Sequence, residues 1–373
     1  MTPFAEVKKC FGFGCMRLPM TEEGEVNLDE FKDMVDLFLN SGFNYFDTAH
    51  PYIGGKSELA IKEALVKRYP RESYVLANKL SAFSIDKEED IVPFFEAQME
   101  ACGTDYFDFY LFHAVDAEME KKLLRFHAYE HVKQFKEQGH IRHIAMSFHD
   151  TPEVLDAVLC AHPEIEAVQI QFNYLDYESP EIQSRGVYEV CRKHNKPMIA
   201  MEPVKGGSLA MINEKAAGVF RQFEPGSPAS FAIRYAAGFE GIFMTLSGMS
   251  NLAQMKENLS YMKEFRPLNE KEQEAVQKVV SILKGEGLIV CTACRYCTDG
   301  CPMNIDIPSL FKRKNELKQF PGQEEGIRRR YERIVSKGGK VSDCIECGQC
   351  EEVCPQHLPI RELLKGTAAV FEA

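Results

Sequence analysis

Long apolar runs are missing from this chain. The stretch 231–249 comes nearest to a membrane span, and Arg234 and Glu240 interrupt it. A span needs roughly 20 apolar residues with few or no charges, so no transmembrane helix is expected. The opening residues, Met-Thr-Pro-Phe-Ala-Glu-Val-Lys-Lys, lack the apolar core of a signal peptide. A cytoplasmic protein is the expectation, with no membrane partner. Basic charge is scarce as well: the net charge of −12 argues against a general nucleic-acid surface. From Gly285 onward 13 basic residues balance 13 acidic ones, so the whole excess lies earlier in the chain. Solubility accounts for it. No Gly-x-Gly-x-x-Gly follows an apolar run, and Gly12-Phe13-Gly14 is too short to serve, so the usual Rossmann fingerprint is absent.

What is present points to two domains in 373 residues. Thirteen cysteines would suggest disulfides in a small secreted protein. Here eight of them fall in two tight groups after residue 290, while Cys10, Cys15, Cys102, Cys160 and Cys191 are scattered. That clustering reads as metal binding in a reducing compartment.

Before residue 264, strand-like and helix-like segments alternate. A short hairpin and first strand are expected over 7–17. Strands follow at 43–47, 74–80, 107–113, 141–147, 167–172, 197–201 and 241–246. Helices are expected at 27–40, 57–67, 89–102, 121–138 (ended by Gly139), 152–161 (with Thr151 as N-cap), 182–194, 228–237 and 252–263. Eight such units in about 260 residues predict an α/β fold, a (β/α)8 TIM barrel rather than a doubly wound sheet. A charged connector, 264–286, holds one more helix at 270–283. The expected division is a barrel with its connector helix over 1–284 and a second domain over 285–373.

Three predicted strands end on polar residues. Phe46-Asp-Thr-Ala-His-Pro-Tyr52 carries Asp47 and Tyr52, Lys79 closes Tyr74-Val-Leu-Ala-Asn-Lys, and His113 closes Phe107-Asp-Phe-Tyr-Leu-Phe-His. The carboxyl ends of buried strands are where barrel enzymes keep their chemistry. In order and approximate spacing, these four residues resemble the catalytic tetrad of the aldo-keto reductase superfamily, over roughly residues 4–262. The resemblance implies the same barrel, with Tyr52 as acid and Asp47, Lys79 and His113 as its supports.

The chemistry asks for such a set. Hydride transfer to a carbonyl leaves negative charge on oxygen, and a proton must arrive with it. A free phenol, of pKa about 10, is a poor acid near neutrality. A nearby ammonium, Lys79, would lower that value. Asp47 would hold Lys79, and His113 would orient the substrate oxygen. His50 and His149 fall in strand-end loops and are candidates for the substrate pocket.

The resemblance also implies a nicotinamide site. Ser147 and Gln169 match its carboxamide contacts, and Met201 stands where an aromatic ring often stacks. Glu257 and Asn258 resemble the pair that contacts adenine. Gly248 and Gln254 occupy positions where basic residues hold the 2′-phosphate of NADP, while the backbone amides of Gly248 and Ser250 could cradle a phosphate. NAD(H) and NADP(H) both stay open, and so does flavin.

The cysteine groups read Cys291-x2-Cys294-x2-Cys297-x3-Cys301-Pro302 and Cys344-x2-Cys347-x2-Cys350-x3-Cys354-Pro355. This is the bacterial ferredoxin spacing, twice. Three thiolates wrap one cubane, and the fourth, before proline, reaches the other. One [4Fe-4S] cluster would take Cys291, Cys294, Cys297 and Cys354; the other, Cys344, Cys347, Cys350 and Cys301. Zinc would have no use for the full run. The spacer, with helices expected at 308–317 and 324–336, resembles an α-helical ferredoxin domain. Arg328, Arg329 and Arg330 read better as a solvated helix face than as a docking site for an acidic partner.

Three functions fit. The first is an oxidoreductase that interconverts a carbonyl and an alcohol with NAD(H) or NADP(H), the simplest use of the tetrad. The second is a flavin-containing electron-transfer enzyme on the same barrel, fed through the clusters by an electron-transfer protein. The third is a non-enzymatic redox sensor, which has no need of all four tetrad residues.

Overall fold

The structure is a computed structural model and describes residues 3–285, 287–319 and 324–372. Glu286, where the expected connector ends, lies outside them. Eight strands form: β1 (Phe11–Gly14), β2 (Tyr45–Asp47), β3 (Val75–Leu80), β4 (Phe107–Val115), β5 (Ile141–Phe148), β6 (Ala167–Gln171), β7 (Met198–Met201) and β8 (Ile242–Gly248). All pair in parallel in sequence order, and β1 closes the barrel against β8. Parallel strands covered by helices bury both faces, and β2, β3 and β6 are buried at every position. Tyr45, Val75, Phe109, Leu111, Ile199 and Met244 belong to one buried core cluster within the barrel unit. At Gly12 a Cβ would meet Leu246 Cδ2 at 2.7 Å and Met244 Sδ at 2.8 Å, so only glycine fits.

The expected N-terminal hairpin does not form. Residues before Phe11 instead make a turn, with Val7 N donating to Phe4 O at 3.1 Å. Phe4 and Val7 join the core cluster, Phe4 lying 4.9 Å from the Phe109 ring and 4.9 Å from Phe243. Apolar burial takes the place of strand pairing. The helix expected over 121–138 is two helices, Ala117–Arg125 and Ala128–Glu137, broken at His127 with φ 47°. Asp116 starts the first by accepting from Met119 N at 2.7 Å. The helix after Tyr52 runs as α over Lys56–Ile61 and widens to a π turn over Lys62–Val66. Thr151 stands at an N-cap position, but its side chain makes no capping bond. An additional helix, Glu214–Phe220, lies after β7, capped by Asn213.

The described residues group into two compact units. The first holds the strands; the second takes 180–182, 204–231 and 269–373. The helix Glu270–Lys284, expected as a connector belonging to the barrel, groups with the second unit and packs there on Glu214–Phe220. That unit has its own apolar core, including Ile305, Leu310, Phe311, Tyr331 and Leu364.

In the first unit, His143 bridges Glu6 (Nε2–Oε1, 2.7 Å) and Glu166 (Nδ1–Oε2, 2.8 Å). Burial disfavours the Glu166 carboxylate. Hydrogen bonds from His143, Lys136 and the Ile144 amide outweigh it and bring its pKa from 4.5 to about 2. A carboxyl that ionises at lower pH when folded stabilises the fold above its unfolded pKa and loses that stabilisation as pH falls through the folded value. Below about pH 5 histidine is charged in both states. Unfolding midpoints of the wild type and Glu166→Gln are therefore expected to differ most near that pH and to converge as pH falls from 4.5 toward about 2.

Candidate active site

The carboxyl ends of β2, β3 and β4 gather the tetrad. Asp47 is the last residue of β2, and Tyr52 sits in the turn that follows. Lys79 is next to last in β3. His113 stands two residues before the end of β4, which runs on to Val115 past a register shift. Tyr52 is 9% exposed and the other three less. Lys79 Nζ donates to Asp47 Oδ1 at 2.6 Å and to Thr48 O at 2.8 Å. It lies over the Tyr52 ring, 4.9 Å from the centroid. His113 stands edge-on to Tyr52, centroids 5.9 Å apart, and its Nδ1 pairs with Ser81 Oγ at 2.7 Å.

Burial sets the electrostatics. It pushes the Lys79 ammonium down and the Asp47 carboxyl up, each opposed by the other's charge. Burial, with help from Lys79 and His149, holds His113 well below its usual range and thus neutral. Tyr52 departs from expectation. Its pKa is held well above the phenol range, by burial first and the Asp47 charge second, with Arg17 acting in the opposite direction. From the sequence, Lys79 was expected to lower it. A carboxylate 2.6 Å from the ammonium offsets much of that charge, and burial removes the solvation a phenolate would need.

A polar network behind β3 holds Lys79. Gln98 Nε2 donates to Lys79 O at 3.0 Å and to Asn78 Oδ1 at 3.0 Å, and Asn78 Oδ1 accepts from Lys79 N at 2.8 Å. Glu58 accepts from both amides and pairs with His50 Nδ1 at 3.1 Å. His50 therefore belongs to this network rather than standing free as a pocket residue. His149 acts on His113 from the loop after β5, while its backbone N–H bonds Val115 O at 2.9 Å. Sequence reasoning missed Arg17, Ser81 and the Glu58–Asn78–Gln98 group. Arg17, three residues past β1, and Ser81, directly after β3, carried strand-end signals of their own.

The expected nicotinamide contacts are only partly brought together. Ser147 on β5 and Gln169 on β6 are neighbours across the sheet and buried. Ser147 Oγ accepts from Ala114 N at 2.7 Å, which leaves its proton to donate. Gln169 Oε1 is buried with no hydrogen-bond partner among the described residues. A buried acceptor without a donor suits a carboxamide N–H₂. Met201 ends β7, half-buried, and Gly248 ends β8. Asn258 is engaged inside the protein, with Ser247 Oγ at 3.2 Å and the Tyr261 hydroxyl at 2.5 Å, while Glu257 is exposed. The Ser250 amide, expected as a phosphate contact, donates to Gln254 Oε1 at 2.7 Å. Glu30 Oε1 accepts from Leu252 N at 3.0 Å, which puts a carboxylate at the N-terminus of the helix Leu252–Met262.

In the second unit the two cysteine runs fold alike. Left-handed residues recur at matching places: Ala293 and Glu346, Arg295 and Gly348, Asn304 and His357. A short helix lies within each run, Tyr296–Asp299 and Gln349–Glu352. Cys301 shares one cavity with Cys344, Cys347 and Cys350. Around Cys297, burial and then the neighbouring thiols of Cys294, Cys291, Cys354 and Cys350 push its thiol pKa up. Cysteine ligands bind iron as thiolates, so clustered thiols that resist ionising alone fit a positively charged metal group. The fourth cysteine of each run thus stands with the other run.

A model of the aldo/keto reductase family matches residues 11–281. The chain belongs to the aldo/keto reductase family. A 4Fe-4S dicluster model matches residues 290–358. The chain is 30% identical over 200 residues to an aldo-keto reductase of Mycolicibacterium smegmatis, covering 53% of this chain and 66% of that one. Over 73 residues it is 33% identical to one subunit of an ion-translocating oxidoreductase complex of Buchnera aphidicola, 19% of this chain and 12% of that one. It thus spans under two thirds of either relative. Among solved structures, an aldo-keto reductase of Bacillus halodurans in its holo form is similar at 22% identity and a TM-score of 0.59, over 73% of this chain and 92% of that one. An aldo/keto reductase of Klebsiella pneumoniae in complex with NADP and acetate is similar at 17% identity and a TM-score of 0.59, over 73% and 91%. These likenesses show the barrel fold. No helix among the described residues is long and apolar enough to cross a membrane.

Removing one partner of a buried ion pair leaves an uncompensated charge and costs about 3–5 kcal/mol. Asp47→Asn is expected to lose about that much in denaturant unfolding, and the double variant Asp47→Asn/Lys79→Met less than the single one.

Proposed function

We propose that the protein is an oxidoreductase that interconverts a carbonyl and an alcohol, with Tyr52 as general acid and base, and that its second unit holds two [4Fe-4S] clusters. The observation that supports it most is the Lys79 ammonium, buried between Asp47 and the Tyr52 ring at the carboxyl ends of the strands. A bound nicotinamide would supply or accept the hydride. A proton donated from Ser81 to Nδ1 would leave the neutral His113 ring with its own proton on Nε2, where it can be donated to the substrate oxygen. Tyr52, its pKa held high, keeps its proton until negative charge develops on that oxygen and makes it the stronger base. Lys79 then faces the new phenolate, and Arg17 adds to its stabilisation.

Ser147 and Gln169 would hold the nicotinamide carboxamide. The Klebsiella relative is in complex with NADP. In this chain the Glu30 carboxylate stands at the helix N-terminus and no basic residue occupies 248 or 254, so NAD(H) is favoured over a cofactor with a further phosphate. A second reading draws on the similarity to part of an ion-translocating oxidoreductase complex: an electron-transfer enzyme with flavin on the barrel, exchanging electrons with a redox protein partner.

Tyr52→Phe is expected to keep its iron and its nicotinamide binding while carbonyl reduction falls at least about a hundredfold. Full activity in that variant would refute the first reading. Flavin near one per chain in anaerobically purified protein would favour the second. Interleaved ligation makes a separate prediction. Cys301→Ser and Cys344→Ser should each lower the iron content by half and erase the same electron paramagnetic resonance signal, although the two residues lie in different runs.

A further inference from the structure

We propose that Asp156, Cys160 and His194 bind a divalent metal ion of the zinc type, at a site that uses none of the tetrad residues and none of the eight clustered cysteines. A carboxylate oxygen, the thiol sulfur and an imidazole nitrogen, one from each residue, all lie within 4.8 Å of one another. The helix Pro152–Ala161 supplies the first two. Leu155, Val158 and Leu159 bury one side of it, and Asp156 and Cys160 stand one turn apart on another. His194 is the C-cap residue of the helix Ser184–Lys193. The two helices pack on each other. A Cβ at Gly186 would meet Pro152 Cγ at 2.5 Å, so glycine lets them approach closely. Ligands carried on packed helices are held more precisely than ligands on loops.

Cys160 is what marks the cluster. Cysteine is among the residue types most often buried. Of the five cysteines outside the two runs, Cys15, Cys102 and Cys191 are buried and Cys10 is half-buried, while Cys160 is exposed. Asp156 pairs with His194 Nε2 at 2.5 Å and with Lys193 Nζ at 2.7 and 2.8 Å, and such a surface ion pair needs no thiol beside it. A metal site does. Thiolate, imidazole and carboxylate are all ligands of zinc, and three of them leave a fourth position for water or a small ligand from solution. For the ion to bind, Lys193 gives up the Asp156 carboxylate. That exchange costs little, since the Lys193 side chain is 63% exposed and surface pairs contribute little to stability. Binding releases the Cys160 thiol proton to solvent and ties two neighbouring helices of the barrel together.

The test uses full-length protein, purified without oxygen and freed of loosely held metal on a chelating resin. It is dialysed against Zn²⁺ at micromolar free concentration, and zinc and iron per chain are then measured. The expected result is one zinc per chain with the iron content unchanged. Cys160→Ser and His194→Ala should each weaken zinc binding at least about tenfold while keeping the wild-type iron content. Lys193→Met should strengthen binding by removing the competing ammonium. No zinc in the wild type, or zinc that either Cys160→Ser or His194→Ala leaves in place, would overturn the three-ligand site. Zinc gained only as iron is lost would put the ion in the cysteine runs and overturn it as well. Unchanged affinity in Lys193→Met would overturn the part assigned to Asp156.

Discussion

The site in the barrel depends on one buried ion pair. Lys79 and Asp47 come from adjacent strands, and each would be costly to bury alone. Together at 2.6 Å they form a unit of little net charge. Everything around the pair serves to fix it. The Thr48 carbonyl takes a second ammonium proton, and the Asn78–Gln98 amides pin the Lys79 backbone. The consequence for Tyr52 follows from the same near-neutrality. A cation already balanced by a carboxylate cannot drag a buried phenol far toward ionisation. The phenol is therefore a reluctant acid at rest. On the proposed reading its proton moves only when negative charge develops on a substrate oxygen.

Much of this was legible from residue order. Parallel strands buried on both faces leave dense apolar runs, and the polar residues that end them stand out: Asp47, Lys79 and His113 were found that way. The cysteine spacing was as explicit, because a cubane constrains its ligands locally. What stayed hidden depended on partners far apart in sequence. Glu58, Asn78 and Gln98 each look like ordinary helix or strand residues, and only their meeting behind β3 gives them a role. The break at His127 is a matter of one backbone angle, which apolar periodicity does not register. The absent hairpin has a related cause: Val7, where the hairpin was expected to begin, is buried in the core cluster together with Phe4 instead. Asn258 was assigned a ligand by analogy, while in the fold its amide is taken by Ser247 and Tyr261.

The N-terminus of the helix Leu252–Met262 shows how local chemistry can redirect a shared scaffold. A helix start offers unpaired amides and a positive dipole end, which suits an anion. In this chain Asn251, Gln254 and Glu30 already accept or supply those bonds. Glu30 arrives from the helix Leu28–Asn40, so the anion at this position is a covalent part of the protein. A ligand with an additional phosphate would have to displace a carboxylate without a lysine or arginine at 248 or 254 to receive it. On the proposed reading, the preference for NAD(H) would come from repulsion and lost hydrogen bonds rather than from a built-in recognition group.

The proposed pairing of a hydride site with two clusters raises a question of electron count. Each cluster carries one electron, and a hydride carries two. Two clusters of unequal potential can hold both electrons of one hydride equivalent, the first arriving at the higher-potential cluster and the second at the lower. The surroundings of the two cysteine runs are unequal, Thr292 being buried where Ile345 is 61% exposed. Unequal solvent exposure is one of the levers that set cluster potentials, so the proposed order of filling has a physical basis in the fold.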